Sequence, residues 1–239
     1  MNTKLKTLLA TGMFTFSAAM LAPLPATADD SDMGNLTEDQ REAREEARDT
    51  LDSAIATAKK LMAEDDMDMD LSQVKGMFVV PNYARVAAGV GASGGEGVLF
   101  VRENGNWSSQ NWTQPMFYNV GAISAGAQVG IEAGEIVMLL LTEKAVDTFM
   151  QQNNFSLNAD AGLTILGFSE RAQAAAGKGD IVIWSDTAGA FADLAVTIED
   201  IFWEEEENDA FYGQQVKPDM VLMGDVGGDM ENHMNGVVN

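Results

Sequence analysis

The chain of 239 residues contains no cysteine and a single histidine, His233. The lack of cysteine excludes disulfide bonds, thiolate nucleophiles, cysteine-based zinc sites and the acylated cysteine of a lipoprotein. A lone histidine leaves little for acid–base catalysis. No catalytic residue, no cofactor and no metal site is therefore predicted.

Basic residues are also scarce: 14 lysines and arginines face 37 acidic residues, for a net charge of -23. This balance repels polyphosphate and argues against nucleic acid as a partner. It also disfavours simple electrostatic attraction to anionic lipid. With 46% hydrophobic residues, the chain can form one sizeable core, so a single globular domain with appendages is expected.

The first 28 residues have the pattern of a signal peptide. Lys4 and Lys6 precede an apolar segment at 7–21, and small residues at 26–28 form a cleavage site. Removing this segment leaves 12 basic and 37 acidic residues, a net charge of -25. The pattern predicts export, with the mature chain periplasmic or secreted. An uncleaved membrane anchor is the alternative.

Residues 29–47 are predicted to form an acidic segment and the start of a helix that spans 35–64. Thr37 and Gln40 have capping-box spacing, and apolar residues then recur at helical intervals. Aspartates at 66, 68 and 70 follow, as at the start of a calcium loop. Leu71 and Met77 occupy the positions that require glycine and glutamate, which excludes an EF-hand. We predict an acidic linker, with weak divalent-ion binding left open.

Glycine-punctuated apolar segments fill the middle of the chain and predict strands. A short strand at 76–80 is expected to end at Pro81, a turn to occupy 89–97, and a strand to follow at 98–101. The stretch 112–141 is expected to be packed strand structure that closes on a buried strand at 136–141. The predicted fold class is α+β, with the N-terminal helix packed on a mainly antiparallel, curved sheet or barrel-like core.

Shorter elements are predicted beyond Leu141. Thr142 is expected to cap a helix that extends to 151, and a short helical excursion is expected at 171–176. Strands are predicted at 155–158, 162–167 and 180–185, with one or two more at 189–201. The charge run 203–207 is interpreted as a solvated face, and the tail 217–239 as disordered, with Met220–Met223 a last strand or a sticky segment.

Two motifs suggest other functions. Gly91-Ala-Ser93-Gly-Gly95 matches G-x-S-x-G, the nucleophile elbow of serine hydrolases, which requires a strand before the serine and a helix after it. Here two glycines lead instead to a strand, so a turn is favoured. In the tail, methionines near His233 suit a soft metal such as copper, which gives a rival binding hypothesis.

The order of several blocks resembles a known family. Val80-Pro81, the glycine-rich segments 88–97 and 121–130, Trp112–Pro115, Ile183-Trp184-Ser185 and Phe211-Tyr212-Gly213 are similar to successive blocks of the SYLF domain. The resemblance covers about residues 48–216. It implies a lipid-binding domain without catalysis; the actin binding of yeast members is not expected of an exported, bacterial-type chain.

The predicted function is therefore non-enzymatic docking on a phospholipid surface of the bacterial cell envelope. The candidate contacts are the cations that could form a local patch, together with two tryptophans: Lys59, Lys60, Lys75, Arg85, Arg102, Arg171, Lys178, Trp107 and Trp112. Divalent ions that bridge acidic groups to lipid phosphates are a further possibility. A structural module that binds other envelope proteins is the main alternative.

Overall fold

The computed structural model describes residues 37–64, 69–102, 111–151, 155–156, 162–186, 200–226 and 234. The predicted signal peptide, Trp107, the aspartates at 66 and 68, and His233 lie outside these residues. Most of the strands predicted for 155–158 and 189–201 lies outside them as well.

Helix α1 (Glu38–Met62) begins as predicted. The Thr37 side chain accepts a hydrogen bond from the Gln40 backbone N–H, and the Gln40 side chain accepts one from the Thr37 backbone N–H. These two bonds satisfy donors that the first helical turn leaves free. One stripe of small and aliphatic residues is buried, comprising Ala43, Ala47, Leu51, Ala54, Ala58 and Leu61. The helix therefore packs through this stripe on the domain. No described helix has the combined length and apolarity needed to cross a bilayer.

Strands β1 (Gly76–Val101) and β2 (Met116–Leu140) form one long antiparallel ribbon. The predicted strand end at Pro81 and the predicted turn at 89–97 are wrong, because β1 continues through both. Register shifts between Val80 and Tyr83 and between Ala88 and Val90 absorb the irregularity. Such bulges bend a strand without ending it.

The ribbon folds back on itself. A strand of 26 residues would extend about 85 Å at roughly 3.3 Å per residue, yet the backbone N–H of Arg102 donates to Lys75 O at 2.9 Å. Gly97 lies against Phe78, where a Cβ would meet the ring at 2.4 Å. The two ends of β1 are thus in contact, and the curved core that the sequence predicted is formed by this fold-back.

Three short strands complete a five-stranded sheet along the other edge of β2. Strand β4 (Ile181–Ser185) pairs antiparallel with residues 136–140, and β5 (Asp200–Trp203) pairs antiparallel with residues 118–121. Strand β3 (Ile165–Gly167) is parallel to β4. The sheet is mixed but mainly antiparallel, and with α1 it confirms the predicted α+β class.

The described residues form four further α-helices. Helix α2 (Glu143–Met150) is capped by Thr142 as predicted, and α3 (Arg171–Gln173) leads into a π-helical turn at Ala174–Lys178. Helices α4 (Glu205–Tyr212) and α5 (Pro218–Leu222) follow β5. Residues 218–222 are therefore helical rather than the strand or disordered tail that was predicted. Proline suits the first turn of a helix, where no backbone donor is lost.

Aromatic rings fill the core between the two ends of the ribbon. Phe78, Tyr118 and Phe149 are each at most 1% exposed, and their ring centroids lie 5.0–6.0 Å apart. The Tyr118 hydroxyl donates to Phe149 O at 2.8 Å. Hydrogen bonds connect helix α4 to β2 in the same core, since the Asn208 side chain donates to Phe117 O and accepts from Phe117 N.

Candidate functional site

The part of the ribbon farthest from its joined ends differs from the rest. We call β1 residues 84–92 and β2 residues 123–133 the ribbon middle. The register pairs Ala84 with Ala133, Val86 with Ile131, Ala88 with Val129, Val90 with Ala125, and Ala92 with Ile123. Directly opposed residues of an antiparallel pair share one face. We call these ten paired residues the apolar row, and none of them is charged.

The described members of this row are accessible. Ala84, Ala92 and Ala133 are exposed, and Val86 retains 46% of its surface. Tyr83, at the alternate position, is 1% exposed. The two sides of the strand therefore have opposite environments at this point: Tyr83 enters the core, and the side that carries Ala84 and Val86 faces solvent.

The alternate positions of the ribbon middle are more polar. Arg85 is paired in register with Glu132, and Gly91 with Ser124. Ser93, just beyond the ribbon middle, lies within continuous strand opposite Ala122. A nucleophile elbow needs a sharp turn from a strand into a helix, and that geometry is absent at Ser93.

Two acidic side chains bind Lys60 near the C-terminal end of β2. Its ammonium donates to Glu135 at 2.5 Å and to Asp186 at 2.7 Å, and it lies 6.0 Å from the Trp184 ring centroid. The hydrogen bonds to Asp186 and Glu135 raise the pKa of Lys60. Asp186 also accepts from the Glu135 backbone N–H. This cation is therefore part of a local network that joins α1 to β2 and the end of β4.

Arg102 and Trp112 do not lie on a surface, which corrects their selection as lipid contacts. They are 3% and 1% exposed, and the guanidinium stacks 4.1 Å from the indole centroid. Arg102 donates to Val74 O and Leu71 O, and burial lowers its pKa. Both side chains therefore lie where the two ends of β1 meet, which we call the closed end of the ribbon. There the guanidinium donates to backbone carbonyl groups of the turn that precedes β1.

The remaining candidates are spread over several elements. Lys75 lies 4.0 Å from Glu143, and Arg171 donates to Phe168 O while its guanidinium lies over the Phe168 ring. Lys59 on α1 and Lys178 in the π-helical turn are exposed, and Arg85 is half-buried. Most of these cations thus have partners within the chain, and the described contacts do not join them into one patch.

The acidic run 203–207 is not wholly a solvated face. Glu207 is 6% exposed and packs inside the domain from α4. Burial and the nearby carboxylates of Glu96, Glu46 and Glu204 raise its pKa to about 8. No local pattern predicts this burial, because the residues that surround Glu207 come from distant segments. The apolar row could have been predicted from the alternation of apolar residues at positions 84–92. The predicted turn at 89–97 overlapped these positions, so the row was missed.

Comparison with known proteins identifies relatives. Residues 121–235 match the Ysc84 family, described as Las17-binding protein actin regulator. LAS seventeen-binding protein 3 of Saccharomyces cerevisiae is 30% identical over 162 residues, which is 64% of this chain and 34% of the relative. SH3 domain-containing YSC84-like protein 1 of Rattus norvegicus is 26% identical over 165 residues, which is 65% of this chain and 45% of the relative.

The chain thus spans a third to just under half of the length of these curated relatives. No solved structure matches it. The family match begins in β2 and continues through β5, α4 and α5, and the yeast and animal relatives agree with it. Residues 121–235 are therefore similar to the Ysc84 (SYLF) family, and the yeast and animal relatives extend the similarity to about two thirds of the chain.

Proposed function

We propose that this protein is a non-enzymatic phospholipid-binding protein that docks on a membrane surface of the cell envelope through the ribbon middle. The observation that carries the proposal is the accessibility of the described members of the apolar row, among which Val86 is 46% exposed. Lipid binding is also what the family resemblance implies. Ser93 in mid-strand offers no elbow for hydrolysis, which favours a binding role.

The physical basis of docking is removal of apolar surface from water. Each buried Å² of apolar surface contributes about 25 cal/mol, so one partly exposed valine adds only on the order of 1 kcal/mol. Several members of the row must therefore enter the lipid together. A two-stranded ribbon can do this at the depth of the headgroups, because the backbone groups between the strands are paired with each other and those on the outer edges can stay hydrated.

Electrostatics sets the expected lipid preference. The chain carries a net charge of -23, and the candidate cations Lys60 and Arg102 already bind acidic or backbone partners within the chain. Binding should therefore not depend on anionic headgroups. Added salt screens the repulsion between an acidic protein and an anionic bilayer, so it should maintain or increase binding. The dependence of binding on salt therefore distinguishes docking through the apolar row from docking through the cationic patch predicted from sequence.

The test is vesicle flotation of the full mature chain. Phosphatidylcholine vesicles and vesicles with added phosphatidylglycerol are compared at low and high salt, with and without calcium. We expect co-flotation with both lipids, undiminished by salt. Absence of the protein from every vesicle fraction would remove the proposal, and binding only to the anionic vesicles, lost at high salt, would move the contact from the ribbon to the lysines and arginines.

A matched pair of variants locates the contact. Val86 and Met223 are the large hydrophobic residues exposed in the described part of the chain, at 46% and 57%. Val86→Asp and Met223→Asp each replace an exposed apolar side chain with one negative charge. We expect the first to reduce flotation at least fivefold and the second to leave it within twofold. Equal effects would mean that added charge alone weakens binding.

The cellular location is part of the proposal and rests on the signal-peptide pattern of residues 1–28. It predicts that the mature chain begins at Asp29 and is recovered from the periplasm or the medium. N-terminal sequencing of the fractionated protein checks this directly. An intact N-terminus on a protein that stays inside the cell would contradict export and leave the docking surface to be tested separately.

A role as a protein-interaction module is the second candidate. It is favoured by the name of the yeast relative, which describes binding to another protein, LAS seventeen. Under this alternative the chain recovers envelope proteins but stays at the bottom of the flotation gradient. Flotation with purified lipid, in the absence of other proteins, separates the two candidates.

A further inference from the structure

Three carboxylates from distant parts of the sequence converge beside the sheet. Glu46 comes from α1, Glu96 from β1 and Glu207 from α4, and one ligand oxygen from each lies within 4.8 Å of the others. Glu46 is exposed, Glu96 is half-buried and Glu207 is buried. The group therefore forms an acidic site that is open to solvent on one side and closed by the domain on the other.

Glu207 supplies an independent sign that a ligand belongs there. Only 6% of its surface is exposed, and its Oε2 has no hydrogen-bond partner among the residues that the structure describes. The neighbouring carboxylates are better provided: Glu96 accepts from the Thr50 hydroxyl at 2.9 Å, and Glu204 accepts from Asn119 at 2.5 Å. A buried, unpaired carboxylate oxygen is costly unless a proton or a cation meets it.

The donor set defines the cation. All three ligands are carboxylate oxygens, which hard divalent ions prefer, and zinc or copper would favour nitrogen or sulfur donors. Ca²⁺ binds oxygen at about 2.3–2.6 Å, so two oxygens on one ion lie at most roughly 4.6–5.2 Å apart. The observed limit of 4.8 Å is within that reach. Mg²⁺ demands near-octahedral geometry and usually keeps several waters with one or two carboxylates, so three protein carboxylates favour Ca²⁺.

We propose that Glu46, Glu96 and Glu207 bind one calcium ion, which joins α1 and α4 to β1. This replaces the expectation of no metal site and is separate from the aspartates at 66, 68 and 70. Water molecules would complete the shell on the exposed side at Glu46. The bound ion would offset the repulsion among the three acids, so α1 and α4 would be held more firmly against the sheet.

The test uses the full mature chain, stripped with EDTA and dialysed. Calcium binding is measured by equilibrium dialysis with radioactive calcium, and the melting temperature is followed by circular dichroism as calcium is added. We expect saturable binding of one ion per chain below millimolar concentration, with a rise in melting temperature that parallels occupancy. The proposal is overturned if no saturable binding occurs up to 1 mM, or if Mg²⁺ binds more tightly than Ca²⁺.

Neighbouring glutamates on α1 provide a matched control. Glu45 and Glu46 are both exposed, but only Glu46 belongs to the cluster. We expect Glu46→Gln to weaken calcium binding at least tenfold and Glu45→Gln to change it less than twofold. Glu207→Gln should also abolish the calcium-dependent rise in melting temperature. Because Glu46→Gln alters only an exposed position, it remains informative if the buried variant does not fold. Equal affinities for the two α1 variants would overturn the assignment.

Discussion

The two parts of the β1–β2 ribbon have opposite character. At the closed end, residues 76–80 and 97–101 of β1 with 116–120 and 136–140 of β2 carry large apolar side chains that are almost wholly buried. In the ribbon middle, the same two strands carry mostly small and β-branched residues beside the Arg85–Glu132 pair, and Val86 is 46% exposed. One continuous pair of strands thus provides both the core of the domain and its accessible apolar face.

This difference separates stability from function along a single element. Substitutions at the closed end should unfold the domain, whereas those in the ribbon middle should alter binding and leave folding almost intact. Exposed apolar surface is a liability for a soluble protein unless it has a partner. The contrast therefore gives the ribbon middle its functional interpretation, and each experiment below either sharpens it or breaks it.

The largest effect is expected for Phe78→Ala at the closed end. The ring is fully buried between Tyr118 and Phe149, with centroids 6.0 and 5.0 Å away. Removing a packed aromatic side chain leaves a cavity and costs about 3–5 kcal/mol. Urea denaturation measures the loss in the free energy of unfolding. A loss below about 1 kcal/mol would show that the two ends of the ribbon are not packed as described.

The next largest effect is expected for the pH dependence of the free energy of unfolding, measured in a calcium-free buffer that contains a chelator. Glu207 has its pKa raised from 4.5 to about 8 by burial and by Glu96, Glu46 and Glu204. The folded state therefore holds this proton more tightly than the unfolded state, so the stability that Glu207 contributes is fully present below about pH 4.5 and is lost as pH rises through about 8. The fall should be on the order of 2–4 kcal/mol.

Glu207→Gln is the control for this pH dependence, since glutamine cannot ionise. Denaturation of the variant should show a much flatter profile between about pH 5 and 8. The raised pKa values of Glu46 and Glu204 act in the same direction and would leave a smaller residual slope. A profile as steep as that of the unaltered protein would assign the effect to groups other than Glu207.

Two glycines compare the tight fold-back with a more open position of β2. A Cβ at Gly97 would lie 2.4 Å from Phe78 Cζ, whereas a Cβ at Gly121 would meet its nearest neighbour, Ser93 O, at 3.8 Å. Overpacking costs about 1–3 kcal/mol, so Gly97→Ala should destabilise by that amount and Gly121→Ala by less than about 0.5 kcal/mol. Thermal denaturation compares them, and equal losses would contradict the tight fold-back.

The smallest change in stability is expected for Val86→Asp. Its side chain is 46% exposed, and substitutions at such surface positions typically change stability by less than about 0.5 kcal/mol. The urea midpoint should therefore stay close to that of the unaltered chain. A loss above 2 kcal/mol would show that Val86 supports the fold, which would remove the separation between the two parts of the ribbon.

Local patterns predicted much of the fold. The capping box at Thr37, the helix capped by Thr142 and the buried strand before Leu141 each depend on neighbouring residues, and each was found. The turn at 89–97 was wrong because glycine permits close packing as readily as a turn. At Gly97 the space is filled by Phe78, nineteen residues earlier in the chain, and no local pattern reveals that contact.

The candidate site was harder to predict than the fold. Counting cations cannot reveal that Arg102 is stacked inside on Trp112 or that Lys60 is held between Glu135 and Asp186. Those contacts join residues that are 10 to 126 positions apart. The acidic run likewise appeared solvated, because the burial of Glu207 depends on how α4 packs against the domain. The sequence shows which residues are charged, but tertiary packing determines which of these charges are exposed to solvent.

The most direct measurement exploits the absence of cysteine. Val86→Cys and Met223→Cys each create the single thiol of the chain, which is labelled with an environment-sensitive fluorophore and mixed with vesicles whose acyl chains carry a nitroxide quencher. If the ribbon middle enters lipid, the label at position 86 is quenched and shifts to the blue, and the label at 223 is unchanged. Quenching at 223 alone, or no quenching at 86 on protein that floats with the vesicles, would contradict the account.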